Sequence, residues 1–426
     1  MSKIISFIKS PVRGMRDYLP SEMLLRESVI KMIRDTYALY GFAEIETPAI
    51  DHIENLTGKQ GGENETLVFR ILKRGQDLVK AIENGSNELS DIGLRYDLTV
   101  PLARYYANNL NQLTSPFKVL QIGSVWRADR PQKGRFRQFT QCDIDILGES
   151  SIMAEIELIA ATADMLSKIF SRVNIHNFTV QISDRNILKA MAKYVGFTEA
   201  DYDDVFIILD KFDKIGLSGI KEELTKKGYD PASIDKYVDI FQDSANILTC
   251  EEFCAFLPEG YLDKQIAENL DTIIRCVRNM VNEDVNVIFD PTLVRGMSYY
   301  TGTIFECIIN GYEFSIAGGG RYDKMIGKYT GTDICACGFS IGFERIITIL
   351  NDHVNNNPME KNVKYAILLE AGITAEQMTA AFEKARKLRQ SNTIVTVQTI
   401  KKNVAYQISR LEADGYTKIE KVYKNA

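Results

Sequence analysis

The chain has 426 residues with 51 Lys+Arg against 57 Asp+Glu, a formal charge of −6, and is 45% apolar and 25% charged. These values exclude a small module and a disordered, collagenous or coiled-coil chain, and predict two or three domains with cores of their own. The longest apolar runs, at 285–289 and 365–369, fall far short of the roughly 20 residues that a bilayer span requires, so no membrane helix is expected.

In the first 14 residues Ser6, Lys9 and Ser10 break the apolar stretch before a signal sequence can form, which points to the cytoplasm. From 21 to 40 apolar positions recur at helical spacing and stop at Gly41, as in a helix ended by a glycine. AEIETPAIDHI then reads as extended, with Pro48 marking an edge strand or an interface. Residues 94–110 predict a short strand, a turn at Pro101 and a helix. KVLQIGSVWRA and RQFTQCDIDILG predict the two arms of a long hairpin, joined by the polar segment RADRPQKGRFR. A helix follows at 151–173, and 185–283 is mostly helical and charged between two strand-rich blocks, the pattern of an insertion. Strands return over 284–317, the triple glycine at 318–320 reads as a loop, and 338–353 as a strand running into a helix. NNNPMEKN at 355–362 is a linker, and the alternating strand and helix patterns beyond it predict a small α/β domain.

Charge and cysteines narrow the classes further. Residues 361–426 hold 12 Lys+Arg and 6 Asp+Glu against 39 and 51 before them, so a basic tail follows an acidic body. Such a tail fits an ordinary solvated surface or contact with a polyanion such as RNA, and composition does not choose between them. Seven cysteines without a secretion signal predict reduced thiols. His52, His176 and His353 are far apart, and Cys250/Cys254 and Cys335/Cys337 lack C-x2-C spacing, so no metal site is expected.

The chemistry concentrates in the hairpin. Its loop places Arg127, Arg130, Lys133, Arg135 and Arg137 within eleven residues, denser than any turn requires and suited to an anionic ligand. On the outgoing strand, alternation sets Phe139, Gln141, Asp143 and Asp145 on one face and Thr140, Cys142, Ile144 and Ile146 on the other. An aromatic, an amide and two carboxylates beside an arginine loop suit a nucleotide base next to a cationic group. LVRGMSYYTGTIFE (293–306) and GFSIGFERI (338–346) each add one arginine, the first with a tyrosine pair. AGGGRYD (317–323) lacks the Lys-Ser/Thr of a phosphate-binding P-loop.

Together these segments resemble the class II aminoacyl-tRNA synthetases, specifically the histidyl-tRNA synthetase family. GFAEIETPAID resembles the first motif, with Pro48 at a dimer interface, VWRADRPQKGRFRQFTQCDIDILG the second and GFSIGFERI the third. LVRGMSYYTG and AGGGRYD resemble the two histidine-specific segments. The resemblance implies an α+β fold: a class II catalytic core, an antiparallel sheet flanked by helices, formed by 1–175 and 285–355, with a helical insertion at 176–284 and a shortened anticodon-binding-like α/β domain at 362–426. It implies activation of L-histidine with ATP and Mg2+ to histidyl-adenylate and transfer to tRNA(His), in a homodimer.

Residue by residue, the resemblance assigns Asp97, Thr99 and Gln141 to the substrate ammonium, and Asp145 and Tyr300, with Tyr299 beside them, to the imidazole. Phe139 and Arg345 would sandwich adenine, Asp129 would lie near its amine, and Arg135 would meet the γ-phosphate. Arg127 and Arg295 would hold the reacting α-phosphate and carboxylate, and Gln132 would meet the acceptor end of the tRNA. Ser298 stands where the family usually has Asp, and Cys335 where proline is common. The alternative reading is the non-catalytic histidyl-tRNA synthetase-like regulatory subunit of ATP phosphoribosyltransferase, which generally lacks the RPQKGR loop that this chain retains; a third is an activating enzyme that charges another carrier.

Overall fold

The structure is a computed structural model that describes residues 7–57, 67–131, 135–243, 249–295, 299–312, 314–353 and 364–424. Gln132, Ser298 and the linker at 355–362 lie outside the described residues. The chain forms two compact units, Met1–Tyr18 with Leu25–Asn351, and Leu19–Leu24 with Asp352–Ala426. In chain order the described strands are β1 (Ala43–Ile45), β2 (Ile50–His52), β3 (Arg70–Leu72), β4 (Ser90–Leu94), β5 (Phe117–Trp126), β6 (Gln138–Leu147), β7 (Phe178–Asp184), β8 (Val285–Phe289), β9 (Thr303–Ile309), β10 (Ala317–Arg321), β11 (Ala336–Ile341), β12 (Lys364–Leu369), β13 (Ile394–Thr399) and β14 (Tyr416–Val422).

The first unit is built on an eight-stranded sheet ordered β1-β5-β6-β11-β10-β9-β7-β8. Only its edge pairs, β1 with β5 and β7 with β8, are parallel; the five pairings between them are antiparallel. The hairpin of β5 and β6 holds its register over ten residues, from Phe117 opposite Leu147 to Trp126 opposite Gln138. Helix Pro20–Leu39 buries Leu25, Val29, Ile33 and Tyr37, a stripe at four-residue spacing, each contributing about 1.5–3 kcal/mol. Helix Met153–Phe170 is rich in buried Ala and Leu, and packs on β6, β11 and helix Lys264–Met280. A second, three-stranded antiparallel sheet, β2-β4-β3, lies over a small core of Ile53, Leu56, Val68, Tyr96 and Val100.

Three expectations change. Pro101 is no turn: it sits in the first turn of helix Thr99–Asn109, where its missing N–H would have had no intrahelical partner. The triple glycine is no loop but the interior of β10, paired with β9 and β11. A Cβ on Gly319 would lie 2.0 Å from the Gly338 carbonyl oxygen, so the glycines are there for close strand approach. Finally, β7, within the expected insertion, is a strand of the large sheet; the helical stretch begins after Asp184 with helix Arg185–Val195 and ends with helix Lys264–Met280.

Two arginines paired to buried carboxylates brace the sheet. Arg26 binds Glu344 through both nitrogens, at 2.6 and 2.8 Å, and Thr140 Oγ1 at 3.1 Å. Arg321 binds Glu155 in the same two-pronged way, at 2.7 Å for each bond. Removing one member of such a pair would leave a buried charge uncompensated, at a cost of about 3–5 kcal/mol.

The second unit is a three-stranded parallel sheet, β13-β12-β14. Alternation along β12 sends Ile367 and Leu369 to one core with Ala381 and Ala385 of helix Ala375–Gln390, and Ala366 and Leu368 to another with Leu411 of helix Val404–Ala413.

Candidate active site

Strand β6 acts as a ruler through a cavity of about 920 Å3 in the first unit. Phe139, Gln141, Asp143 and Asp145 all line it, as period-two alternation requires. The register sets Asp145 deep, opposite Val119 and Gly338, and Phe139 at the outer end, opposite Val125 and next to the hairpin loop. The row through Asp143 continues across Ser340 and Gly318 to Glu306.

The deep part is acidic. Asp97 Oδ1 accepts from Val100 N at 3.1 Å, at the start of helix Thr99–Asn109, and Asp97 Oδ2 is buried without a partner. Asp145 Oδ1 accepts from the Tyr322 hydroxyl at 2.6 Å, and Asp145 Oδ2 is likewise unpartnered. Gln141 Oε1 is the third orphaned acceptor. Burial pushes Asp97 up to about 6 and Asp143 up to about 7, and it raises Asp145 well above the ordinary carboxylate range, with Asp143 and Asp97 adding repulsion. Three buried acceptors that nothing satisfies call for a ligand carrying donors and positive charge.

Glycines make this space. A Cβ at Gly338 would lie 1.9 Å from Asp145 Oδ1, and one at Gly318 would lie 2.3 Å from Arg295 Nη1. Arg295 Nη1 binds Glu306 at 2.6 Å, while its Nε is buried without a partner. Burial alone would lower the Arg295 guanidinium, but Glu306 and the hydroxyls of Tyr300 and Tyr299 outweigh it and raise its pKa. The two tyrosine rings lie 4.8 Å apart; the Tyr300 hydroxyl bonds Arg295, and that of Tyr299 bonds Thr99 and Tyr300.

The outer part is basic. Arg127 Nε donates to the Tyr96 carbonyl at 2.9 Å, and its guanidinium lies 5.1 Å from the centre of the Phe139 ring. Arg135 is 3.3 Å from Asp129. Arg345, at the start of helix Phe343–His353, donates to the Ser315 carbonyl at 2.6 Å. Burial lowers its pKa, Glu306 opposes, and Arg295, Arg135 and Arg127 lower it further: four guanidinium groups converge closely enough to repel. A polyanion would relieve that repulsion.

The twelve residues that the resemblance assigns to histidine or ATP therefore line one cavity: Asp97, Thr99, Arg127, Asp129, Arg135, Phe139, Gln141, Asp145, Arg295, Tyr299, Tyr300 and Arg345. Cys335 is not among the lining residues; its carbonyl accepts from Gly148 N at 2.7 Å. The sequence assigns no role to Glu306, Tyr322 or Ser340 and takes Asp143 only as one of two carboxylates facing a cationic group; all four line the same cavity and hold its other residues in place. Asp143 was visible in the alternation, and Glu306 and Tyr322 stand within the motif segments, but their partners lie on other strands.

A mainly antiparallel sheet that carries an acidic pocket and an arginine cluster on one face is the core fold of a class II synthetase. The chain belongs to the histidyl-tRNA synthetase family: the sequence profile described as Histidyl-tRNA synthetase matches residues 14–346. It is 45% identical over 350 residues to the histidine–tRNA ligase of Leifsonia xyli, covering 80% of each chain, and 37% identical over 378 residues to that of Azobacteroides pseudotrichonymphae, covering 85% of this chain and 80% of the relative. Among solved structures, histidyl-tRNA synthetase from Nostoc superposes with a TM-score of 0.75 at 29% identity, over 96% of this chain and 90% of that one. A structure from Bacillus halodurans, described as an ATP phosphoribosyltransferase regulatory subunit/histidyl-tRNA synthetase, gives 0.76 at 22% identity over 98% and 99%, a likeness of fold.

Proposed function

We propose that the chain is a histidine–tRNA ligase, which activates L-histidine with ATP to histidyl-adenylate and transfers the histidyl group to tRNA(His). The observation that carries this reading is the polarity of the cavity: the orphaned acceptors of Asp97, Gln141 and Asp145 in one part, and converging guanidinium groups in the other. In this reading Asp97, Thr99 and Gln141 receive the α-ammonium, and Asp145 with Tyr299 and Tyr300 receives the imidazole. ATP enters as its Mg2+ complex, with adenine between Phe139 and Arg345, its amine near Asp129, and the γ-phosphate on Arg135.

The substrate carboxylate attacks the α-phosphorus and pyrophosphate leaves; no protein nucleophile takes part. Charge builds on the non-bridging oxygens, where Arg127 and Arg295 stabilise it more than in the ground state. Arg295 is held for this by Glu306 and Tyr300, so little reorganisation is needed as charge develops. A terminal ribose hydroxyl of tRNA(His) then attacks the adenylate carbonyl, the acyl–phosphate bond breaks and AMP leaves as the ester forms, with Gln132 meeting the acceptor end. Two chains form the working homodimer in the cytoplasm, and among the described residues no helix is long and apolar enough to cross a membrane.

Histidine-dependent ATP–pyrophosphate exchange tests the reading. The protein is expected to exchange with histidine alone among the amino acids and then to charge tRNA. Arg295→Ala is expected to slow exchange by about 100-fold or more, the loss typical of a missing oxyanion donor. Exchange without charging would point to another carrier, and no exchange at all to a regulatory subunit.

A further inference from the structure

Gln141 makes its hydrogen bonds through one end. Its Nε2 donates to Asp143 Oδ2 at 3.0 Å, to Asp143 Oδ1 at 3.3 Å and to Ser340 Oγ at 3.0 Å, while Oε1 is buried without a partner. Asp143 differs from its neighbours Asp97 and Asp145: both of its oxygens are engaged by Gln141, it also bonds Ser340, and none of its oxygens is orphaned. An ionised carboxylate accepts and cannot donate, so it admits only the amide orientation that offers it N–H groups. The opposite orientation would set the Gln141 carbonyl against the carboxylate and turn an NH2 toward an incoming ammonium.

We propose that Asp143 is a positioning residue for amino-acid binding: by holding the Gln141 amide through its N–H groups, it presents the Gln141 carbonyl to the α-ammonium of the substrate. The proposal rests on the histidine activation proposed above and adds a residue whose work is done through another. Asp143 is 3% exposed and faces Gln141 and Asp145 on its own strand, Ser340 on β11, Asp97 and Arg127 across the cavity, and Arg95, Tyr300, Tyr37 and Cys142 within electrostatic range. Burial, reinforced by Asp97 against the bonds from Ser340 and Gln141, pushes its carboxyl up to about 7. Protonation converts an acceptor into a donor and frees the amide to turn, so ammonium recognition weakens as pH falls through that value.

The test is calorimetric binding of L-histidine and of its des-amino analogue, imidazolepropionate, to the full chain and to Asp143→Asn, Asp143→Ala, Gln141→Ala and the double Ala variant, with ATP affinity as the check on folding. Asp143→Ala is expected to weaken histidine binding about 10- to 100-fold, the range for a lost hydrogen bond to a charged group, and to leave the analogue unaffected. The double variant is expected to bind histidine no more weakly than Gln141→Ala alone, because both changes remove one interaction. The isosteric Asp143→Asn, which carries the test if the Ala variant fails to fold, is expected to lose the part of the pH dependence centred near 7 that the wild type shows. Additive losses in the double variant, an equal loss for the analogue, or an unchanged pH profile in Asp143→Asn would overturn the proposal. Wild-type protein that binds no histidine would overturn the activation reading itself, and this inference with it.

Discussion

Asp97 illustrates the cost of burying a carboxylate. It is 2% exposed, and burial pushes it up to about 6 in spite of the Val100 N–H and the nearby Arg127. A raised folded-state pKa means that the native chain binds this proton more tightly than the unfolded one. The stabilisation it gives is therefore full below the unfolded value, near 4, and is lost as pH rises through about 6. A shift of about two units corresponds to about 3 kcal/mol. Asp97→Asn, which can still accept from Val100 N, is expected to be more resistant to guanidinium than wild type near pH 8 by about that amount, with the advantage gone near pH 4. Equal unfolding midpoints at both pH values would rule out this account. The same variant is expected to lose histidine binding, the trade of stability for function that strained sites show.

At this scale residue types were readable and partnerships were not. An arginine-dense loop and an alternating Phe-Gln-Asp-Asp strand announced an anion and a cation subsite. The Gln141–Asp143 bond, the Arg295–Glu306 pair and the Tyr322–Asp145 bond depend on side-chain rotamers and on strands distant in sequence.

At the scale of elements, hydrophobic period located the long helices and the hairpin, because each presents one apolar face to a single core. It failed at β10. Glycines 318–320 carry no side chain to display a period, and loop was the natural reading. Their roles differ according to what a methyl group would meet. On Gly318 it would meet Arg295, a side chain that can move; on Gly319 it would meet the Gly338 carbonyl at 2.0 Å, which cannot move without breaking the ladder. Gly319→Ala is therefore expected to cost about 3 kcal/mol or more of stability, at or beyond the upper end for overpacking. Gly318→Ala is expected to unfold near the wild-type midpoint and to lose pyrophosphate exchange about 10-fold or more through a displaced Arg295, since misplacing a reacting group by about 1 Å has a large effect on rate. Comparable stability losses in both variants would count against this distinction.

At the scale of the whole molecule, the polar cavity is lined entirely by residues of the first unit, while the basic excess belongs to the second. Activation and tRNA binding should then be separable. Arg386 and Arg389 are exposed on helix Ala375–Gln390. Replacing both with Glu is expected to leave pyrophosphate exchange unchanged, to raise KM for tRNA in charging, and to flatten its dependence on salt by about one to two counterions, one for each phosphate that an arginine no longer neutralises. A tRNA KM that does not respond would remove this helix from the tRNA path.

Residue chemistry and the order of the motifs were legible along the chain alone, because these are carried by side-chain type and by spacing. So was a separate small α/β unit beyond the linker, since alternation and helical period are local. Only the tertiary structure decided that β7 belongs to the core sheet, that three glycines form a strand, and which acceptors are left without partners. Those outcomes depend on strand pairings between residues far apart in the chain, Asp145 with Gly338 or Gly318 with Glu306, and on burial that no single element produces alone.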